Sequence, residues 1–554
     1  MRYTGAQLIV RLLEQQGITT VAGIPGGAAL PLYDALGQSR IIRHVLARHE
    51  QGAGFMAQGM ARASGQTAVC LASSGPGATN LVTAIADAKL DSIPLVCITG
   101  QVSSSMIGTD AFQEVDTYGI SIPITKHNYL VRDISELTRV IPAAFRIAQS
   151  GRPGPVWIDI PKDVQTAEIE LDNLPEPGFA DKPCPIDPIA IATVAQMINS
   201  AARPVLYLGG GIVSSEAHEQ AIQLAEQAGL PTTMTLMALG TMPVDHPLSL
   251  GMLGMHAARS TNLIMQQADL LIVLGARFDD RAIGKAEQFC PDASIIHIDI
   301  DPAELGKIRR PHLAMNADIK QVLTHLLPLI ETQTRSEWRS KVSDMQREFP
   351  FNQPNSENPL CHYGLIRAAA ALDDETIITT DVGQHQMWVA QAYPLHRPRQ
   401  WLTSGGLGTM GFGLPAAIGA ALAKPQAKVV CFSGDGSLMM NIQEMATAAE
   451  EQLNVKIILM NNQSLGLVHQ QQDLFFGKRI FAADYPYRTN FIHIAEGFGF
   501  STCDLNTASD PYSALHEALN RPGPVLIHAL IDVDEKVYPM VPPGAANIDM
   551  IGGE

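Results

Sequence analysis

The sequence predicts an α/β protein made of three parallel-sheet domains. Short apolar runs alternate with helical patterns along the whole chain, the signature of βαβ units whose helices cover a parallel sheet. Several of these runs end in glycine-containing turns that open a helix. TAVCLAS leads to Gly75-Pro76-Gly77, PVLYL to Gly209-Gly210-Gly211, and VVCFS to Gly434-Asp435-Gly436. A length of 554 residues accommodates three or four domains of roughly 150 residues each.

The first block opens with MRYTGAQLIVRLLEQQG, an expected amphipathic helix whose apolar stretch is cut by Arg11, unlike a signal peptide. Strands follow at 67–73, 94–99 and 156–160. From about 166 to 188 the text ELDNLPEPGFADKPCPIDP reads as a proline-rich acidic linker. The second block has strands at 205–208, 270–274 and 295–298, then fades after Ile330 into a charged helix and the loop PFNQPNSENP. The third begins at Leu360, with strands at 376–379, 428–432 and 456–460. Boundaries therefore fall near 165–188 and 330–360, giving domains at 1–170, 188–330 and 358–554. The first and third blocks share size and texture, a hint of duplication.

Hydrophobic residues make up 46% of the chain and charged residues only 17%, against a usual value of about 25%. That balance suits large cores and subunit interfaces and excludes intrinsic disorder. Lys+Arg total 38 and Asp+Glu 55, a formal net charge of −17, whereas a general nucleic-acid binder carries the opposite sign. No apolar run approaches the ~20 residues of a membrane span. The seven cysteines are scattered without a Cys-x-x-Cys pair, so they read as buried thiols of a reducing, cytoplasmic protein.

The densest chemistry lies in the third block. After VVCFS comes Gly434-Asp435-Gly436-Ser437, where a helix is expected to start and run to about Glu451. Glycines admit close ligand approach, and the free N–H groups of a helix start attract phosphate. The next strand, VKIILM, ends in Asn461-Asn462, with Asn462 27 positions after Asp435. One helix and one strand fill that spacing, so Asp435 and Asn462 fall side by side at the carboxyl ends of adjacent parallel strands, where ligands bind. A carboxylate, an amide oxygen and a nearby carbonyl make half an octahedron for Mg²⁺, leaving positions for phosphate oxygens and water. Either motif alone reads as a tight turn.

GDGS…NN resembles the thiamine diphosphate enzyme family, whose members hold the cofactor diphosphate through a divalent metal at this motif. The resemblance is closest to the acetohydroxyacid synthase (acetolactate synthase) catalytic-subunit family. It runs through RHEQGAGFMAQGMAR, SSGPGATN, DSIPLVCITGQ, GTDAFQE, GRPGPVWIDIPKDVQ, GARFDDR and GLGTMGFGLPAAIGA, in the expected order. It implies Mg²⁺ ligands at Asp435, the Asn462 side chain and the Ser464 carbonyl. It implies diphosphate contacts at Gln384, His385, Gly434, Gly436 and Ser437 and near Gly466 and Leu467. Alone, Glu50 reads as a charge at a helix start. The resemblance makes it the carboxylate that hydrogen-bonds the aminopyrimidine and favours the tautomer that removes the thiazolium C2 proton, with an apolar setting raising its pKa. Met410 matches the bulky residue that bends the cofactor, and Gly408 the carbonyl that accepts from its amino group. The family's sites combine the first domain of one chain with the third domain of another. A homodimer is therefore implied, with Glu50 and Asp435 meeting across its interface.

Gly209-Gly210-Gly211 does not match G-x-G-x-x-G and is a weak dinucleotide signal alone. The runs TLMALG, GMLGMH, GARFDDR and HIDIDPAELGK resemble the family's flavin domain, however. That resemblance places Arg152, Gly209, Gly210, Thr235, Leu236, Met255, His256, Gly275, Arg277, Asp279, Asp299 and Asp318 along a structural FAD. Lys162 and Arg281 match basic residues on the path of a second 2-ketoacid, and Phe112, beside Gln113, an aromatic against its methyl group. The bland alternatives are a solvated lysine, a salt-bridged arginine and a core phenylalanine.

The implied reaction decarboxylates pyruvate on thiamine diphosphate and ligates the hydroxyethyl carbanion to a second ketoacid. Pyruvate as acceptor gives 2-acetolactate and 2-ketobutyrate gives 2-aceto-2-hydroxybutyrate, the first common step of branched-chain amino acid biosynthesis. Pyruvate oxidase shares the fold and both cofactors and is the enzymatic rival, with GTDAFQE and GARFDDR favouring ligation. A catalytically dead binding paralogue is the rival from another class, and intact Glu50, Asp435 and Asn462 argue against it. Members commonly bind a separate small regulatory subunit. One departure stands out: after GLVHQ many relatives carry a tryptophan linked to choosing the larger acceptor, and this chain has Gln471. Weak preference for 2-ketobutyrate is the expectation; the alternative is that Gln471 points to solvent and Gln470 or a remote aromatic lines the pocket.

Overall fold

A computed structural model describes residues 1–371 and 375–553. The chain builds three six-stranded sheets, parallel throughout. Across the first sheet the order is Arg43–Leu46, Thr20–Gly23, Ala68–Ala72, Leu95–Gln101, Pro155–Pro161 and His127–Leu130. Across the middle sheet it is Ser249–Met252, Thr232–Met234, Pro204–Leu208, Leu270–Leu274, Ser294–Asp299 and Leu313–Asn316. The third runs Trp401–Leu402, Ile377–Thr380, Val429–Gly434, Val455–Asn461, Val525–Leu530 and Ser501–Asp504. Each strand expected from the sequence is present to within a residue or two. The central ones are buried along their whole length, as parallel strands covered on both faces must be.

Counted in chain order within each sheet, the first and third share the order 2-1-3-4-6-5, so the shared texture reflects one topology used twice. The middle sheet has the order 3-2-1-4-5-6 of dinucleotide-binding folds. Arg2–Thr4 pairs antiparallel with Glu168–Glu170, tying the two ends of the first unit together. Residues 171–187 hold no helix or strand, and Asp187 then caps the helix Pro188–Ser200 through the Ile189 N–H at 2.9 Å. The charged helix after Ile330 spans Ser336–Glu348, and Trp338, Val342 and Met345 bury one face of it against the middle sheet. Among the described residues no helix is long and apolar enough to cross a membrane.

Two expectations need correction. The helix opening at Asp435 does not run on to Glu451: it breaks into Asp435–Leu438 and Glu444–Glu450. Between them Asn441 is buried and donates its side-chain N–H to the Gly411 carbonyl at 2.7 Å. The cysteines are all free thiols, but they are not all buried: Cys361 and Cys503 are half-buried, and Cys184 is exposed because it lies in the linker, away from any core.

The helices Glu50–Ser64 and Gly413–Ala423 occupy the same place in their respective units, after the second strand and before the third. They also pack on each other. An added Cβ at Gly59 would overlap the Ala416 carbonyl, and one at Gly419 would overlap the Met56 carbonyl, so the two backbones touch. Phe55 and Phe412 meet edge to face at 5.4 Å beside this crossing, and the Arg62 guanidinium lies 5.0 Å over the Phe412 ring. Further along, the buried Glu444 carboxylate accepts the N–H groups of Arg48 and His49, each at 3.0 Å.

Gly59→Val and Gly419→Val should each force the crossing apart and destabilise the protein by about 1–3 kcal/mol, as overpacking does. Gly497→Ala, where an added Cβ meets nothing within 4 Å, should leave the thermal midpoint nearly unchanged. Thermal unfolding of the three variants checks both.

Candidate active site

The third sheet changes direction between Ile377–Thr380 and Val429–Gly434, and the expected diphosphate residues gather at the carboxyl ends of those strands. Gln384 and His385 open the helix Gln384–Ala392 on one side, while Asp435, Gly436 and Ser437 open a helix on the other. The Ser437 hydroxyl donates to the Val382 carbonyl at 2.8 Å and ties the two sides together. Gly434 registers with Met460, which brings Asn462 alongside as the spacing predicts. The Asn462 amide donates to Gln384 Oε1 at 3.0 Å, and its own Oδ1 accepts the Ser464 N–H at 3.1 Å. Gln384 Nε2 in turn donates to Gln470 Oε1 at 3.1 Å and to the Glu535 carbonyl at 2.8 Å. Gly466, which opens the helix Gly466–Phe475 with Leu467 next to it, lies so close that a Cβ would strike Gln384 Oε1.

Two buried polar atoms at this point have no partner: Asp435 Oδ1 and His385 Nε2. Burial pushes the Asp435 carboxyl up to about 6, against the pull of backbone N–H groups including those of Gly436, Asn462 and Gln463. Burial lowers the His385 imidazole to about 3, so it is neutral. A buried unpaired polar atom costs about 1–3 kcal/mol, which a ligand recovers. Among the described residues no group of three or more His, Cys, Asp or Glu side chains is set to hold a metal. The donors the structure brings together are the Asp435 carboxylate and the Asn462 amide oxygen, oxygen ligands of the kind that fit a hard cation beside a phosphate.

Glu50 opens the helix Glu50–Ser64, half-buried, with Oε2 accepting from Asn80 Nδ2 at 2.9 Å. No hydrogen bond or ion pair joins it to Asp435 among the described residues. Gly408 adopts a left-handed φ of +68° on an exposed turn, and Met410 beside it is half-buried. Asp381 anchors that turn by accepting the Gly411 N–H at 2.7 Å. It is buried, and burial pushes its carboxyl up to about 6. Sequence reasoning missed it; the only signal is a carboxylate ending the apolar strand IITT.

Phe112 is 88% exposed, so it is not a core residue. Its neighbour Gln113, at φ +60°, packs on Gly75. Lys162 is exposed at the start of Lys162–Thr166, and Arg281 is exposed with only Asp280 at 3.8 Å. Within one chain each of these four side chains is exposed.

In the middle sheet, Thr235, Gly209-Gly210, Gly275 and Asp299 stand at the carboxyl ends of four adjacent strands, and the sheet reverses between Pro204–Leu208 and Leu270–Leu274. Thr235 Oγ1 is buried without a partner, which fits a polar ligand along this edge. Leu236 opens the short turn Leu236–Ala238 beside it. Burial pushes Asp299 up to about 6 and lowers His256, 3.1 Å from the Pro539 carbonyl, to about 4. The Met255 N–H donates to the Arg281 carbonyl at 2.8 Å, and Arg277 reaches Gly406. Three other residues expected along the flavin have partners within the chain. Arg152 pairs with Glu304 at 2.7 Å and Asp301 at 3.2 Å, while Asp279 and Asp318 serve as helix N-caps.

The family models that match define the class: a thiamine pyrophosphate (thiamine diphosphate) enzyme. Its family models match in order, the N-terminal TPP binding domain at 3–120, the central domain at 191–326 and the C-terminal TPP binding domain at 381–529. Over 554 residues, all of this chain and 98% of the relative, the sequence is 70% identical to the acetolactate synthase isozyme 1 large subunit of Escherichia coli K12. It is 46% identical over 551 residues to the isozyme 2 large subunit of the same strain, covering 99% of each. With the acetolactate synthase large subunit of Corynebacterium glutamicum it shares 44% over 564 residues, 99% of this chain and 90% of the relative. The chain belongs to the acetolactate synthase large-subunit family.

One more buried carboxylate lies near the base of the loop that bears Phe112. Asp159 accepts from Thr99 Oγ1 at 2.7 Å and from Gln101 Nε2 at 2.9 Å, and Gln101 also donates to the Val115 carbonyl at 3.0 Å, at the base of the loop that bears Phe112. Burial pushes Asp159 up to about 7, only partly offset by these hydrogen bonds. The folded protein therefore holds this proton where the unfolded chain has lost it, so stability falls as pH rises from about 4 to about 7. Asp159→Asn should flatten that part of the dependence, as measured by the thermal midpoint across the same pH range.

Proposed function

We propose that this chain is the catalytic subunit of an acetolactate synthase. It joins two pyruvates with loss of CO₂ to give 2-acetolactate, or pyruvate and 2-ketobutyrate to give 2-aceto-2-hydroxybutyrate, the first common step of branched-chain amino acid biosynthesis. The observation that carries this is the cradle at the reversal point of the third sheet, where a partnerless buried Asp435 oxygen lies beside Asn462 and Gln384. Full-length similarity to acetolactate synthase large subunits supports it.

Thiamine diphosphate supplies the electron sink for decarboxylating a 2-ketoacid. Asp435, Asn462 and the Ser464 carbonyl hold Mg²⁺, and Gln384, His385, Gly434, Gly436, Ser437, Gly466 and Leu467 surround the diphosphate. Glu50 hydrogen-bonds the aminopyrimidine and moves its proton, while the Gly408 carbonyl and Met410 fix the ring geometry. Phe112, Gln113, Lys162 and Arg281 receive the acceptor ketoacid. Two cationic side chains suit an anionic acceptor in a protein of net charge −17. Gly209, Gly210, Thr235, Gly275 and Asp299 would hold FAD at the carboxyl edge of the middle sheet, with Arg152, Leu236, Met255, His256, Arg277, Asp279 and Asp318 along it. Glu50 and Asp435 sit in different sheet units and the acceptor residues face solvent, which supports a homodimer with the site between two copies. The domains span 1–170, 188–330 and 358–554, the location is cytoplasmic, and a small regulatory subunit is the expected partner, as the name "large subunit" in the relatives suggests.

Anaerobic incubation of the holoenzyme with pyruvate should yield acetolactate without reducing an electron-acceptor dye. Acetate with dye reduction would make it an oxidase, and no cofactor-dependent CO₂ release would make it a binding protein. Glu50→Gln should retain cofactor binding by calorimetry yet lose about 10²–10⁴-fold in turnover, the value of acid–base assistance.

Gln471 is exposed on the helix Gly466–Phe475, whereas Gln470 is buried against Gln384 and Val537. A hydrated glutamine gives little reward for an extra methylene, itself worth about 1–3 kcal/mol or ~10–200-fold in an apolar pocket. With both acceptors supplied, the product ratio should follow their concentrations closely, and Gln471→Trp should shift it towards 2-aceto-2-hydroxybutyrate. A strong wild-type preference, or no shift with tryptophan, overturns this assignment.

A further inference from the structure

The turn that carries Gly408 and Met410 is held by carboxylates of another sheet unit. Asp91, the C-terminal cap of the helix Pro76–Leu90, accepts the Gly406 N–H at Oδ1 (2.7 Å) and the Gly405 N–H at Oδ2 (3.1 Å). One helical turn earlier, Asp87 Oδ1 accepts the Thr409 hydroxyl at 2.9 Å and also the Ser404 hydroxyl, and the latter's oxygen accepts the Thr409 N–H at 2.8 Å. Arg62 lies between the two carboxylates, 2.8 Å from Asp91 and 3.4 Å from Asp87. Its other nitrogens donate to the Thr403 carbonyl at 2.9 Å and to Gln58. The side chains of both aspartates are 0% exposed and that of Arg62 is 6% exposed.

Two buried carboxylates thus share one guanidinium, and the remaining negative charge is met by N–H and O–H donors of the turn itself. Burying charge in this way is a costly means of joining domains, and apolar packing would join them at least as well. What the arrangement supplies instead is directed geometry, because charge-assisted hydrogen bonds fix both distance and angle. The clamped atoms lie on both sides of Gly408: residues 403–406 before it and Thr409 after it. Gly408 itself is exposed. The same helix, Pro76–Leu90, touches Glu50 through Asn80, seven residues or about 10 Å along the axis from Asp87.

We propose that Asp91 and Asp87, braced by Arg62, are positioning residues for the cofactor: they set the backbone of residues 404–410 and thereby the place of the Gly408 carbonyl and the Met410 side chain. This rests on the assignment of Gly408 and Met410 to thiamine diphosphate made above.

The test uses the full-length protein loaded with thiamine diphosphate and Mg²⁺. It reads the rate at which the cofactor C2 proton exchanges into D₂O by NMR, together with the thermal midpoint of the cofactor-free protein. Asp91→Asn keeps the size of the side chain but puts an amide donor against a glycine N–H. Exchange should slow by about tenfold to a hundredfold, the cost of a sub-ångström misplacement, while the cofactor-free midpoint shifts by only a few degrees. Thr409→Val removes one donor, leaves both carboxylates paired and should slow exchange in the same direction by less. Met410→Ala is the reference, because it alters the cofactor contact directly. If Met410→Ala slows exchange while Thr409→Val and folded Asp91→Asn exchange at the wild-type rate, the clamp has no positioning role and the cofactor assignment stands. If Met410→Ala also exchanges at the wild-type rate, the assignment of this turn to the cofactor falls, and the clamp falls with it. Should Asp91→Asn fail to fold, Thr409→Val decides.

Discussion

The junction between the first and third sheet units depends on two helices that cross with their backbones in contact. Glu50–Ser64 and Gly413–Ala423 touch backbone to backbone because glycine stands at Gly59 and Gly419. Close-packed interiors transmit displacement, so this contact sets the first and third sheets at one mutual orientation. The polar links beside it follow from that orientation. Glu444 reaches the start of the helix that carries Glu50, and Arg62 reaches Thr403 across the same boundary. A crossing one methyl group wider would pull each of these hydrogen bonds out of range.

The two units so joined have the same strand order, and the crossing helices are topological equivalents. Their reversal points have nonetheless diverged in chemistry. In the third unit that point holds an amide-and-carboxylate set built around Asp435, Asn462 and Gln384. In the first, the neighbouring helix start offers one carboxylate, Glu50, steadied by Asn80.

Buried acids recur around this framework. Asp435, Asp381, Asp299 and Asp159 are all pushed upward by burial; the first three end or follow a strand at its carboxyl edge, and Asp159 lies within the strand Pro155–Pro161. Backbone N–H groups hold the first three carboxylates, and side-chain donors hold Asp159. Where such N–H groups and hydroxyls suffice, the acid shapes a loop, as Asp381 and Asp159 do. Where an oxygen is left over, as at Asp435, the site has capacity for a cation.

Much of this was legible in the sequence. Buried parallel strands are continuous apolar runs, so TAVCLAS, LLIVL and VKIILM announce themselves, and the spacing of Asp435 and Asn462 follows once adjacent strands are parallel. Tertiary structure alone decided what lies far apart in the chain or depends on which face a side chain takes. The break at Asn441 comes from its bond to Gly411, and the engagement of Arg152 from acids some 150 residues downstream. The exposure of Phe112 and Gln471 and the burial of Gln470 reflect surfaces that no local pattern encodes. Asp87 and Asp91 look like ordinary helix-surface acids in LVTAIADAKLDS, and only the packing of a turn more than 300 residues later makes them buried. Strand and turn propensities are written within a few residues, whereas the burial of a charge depends on whatever the rest of the chain folds against it.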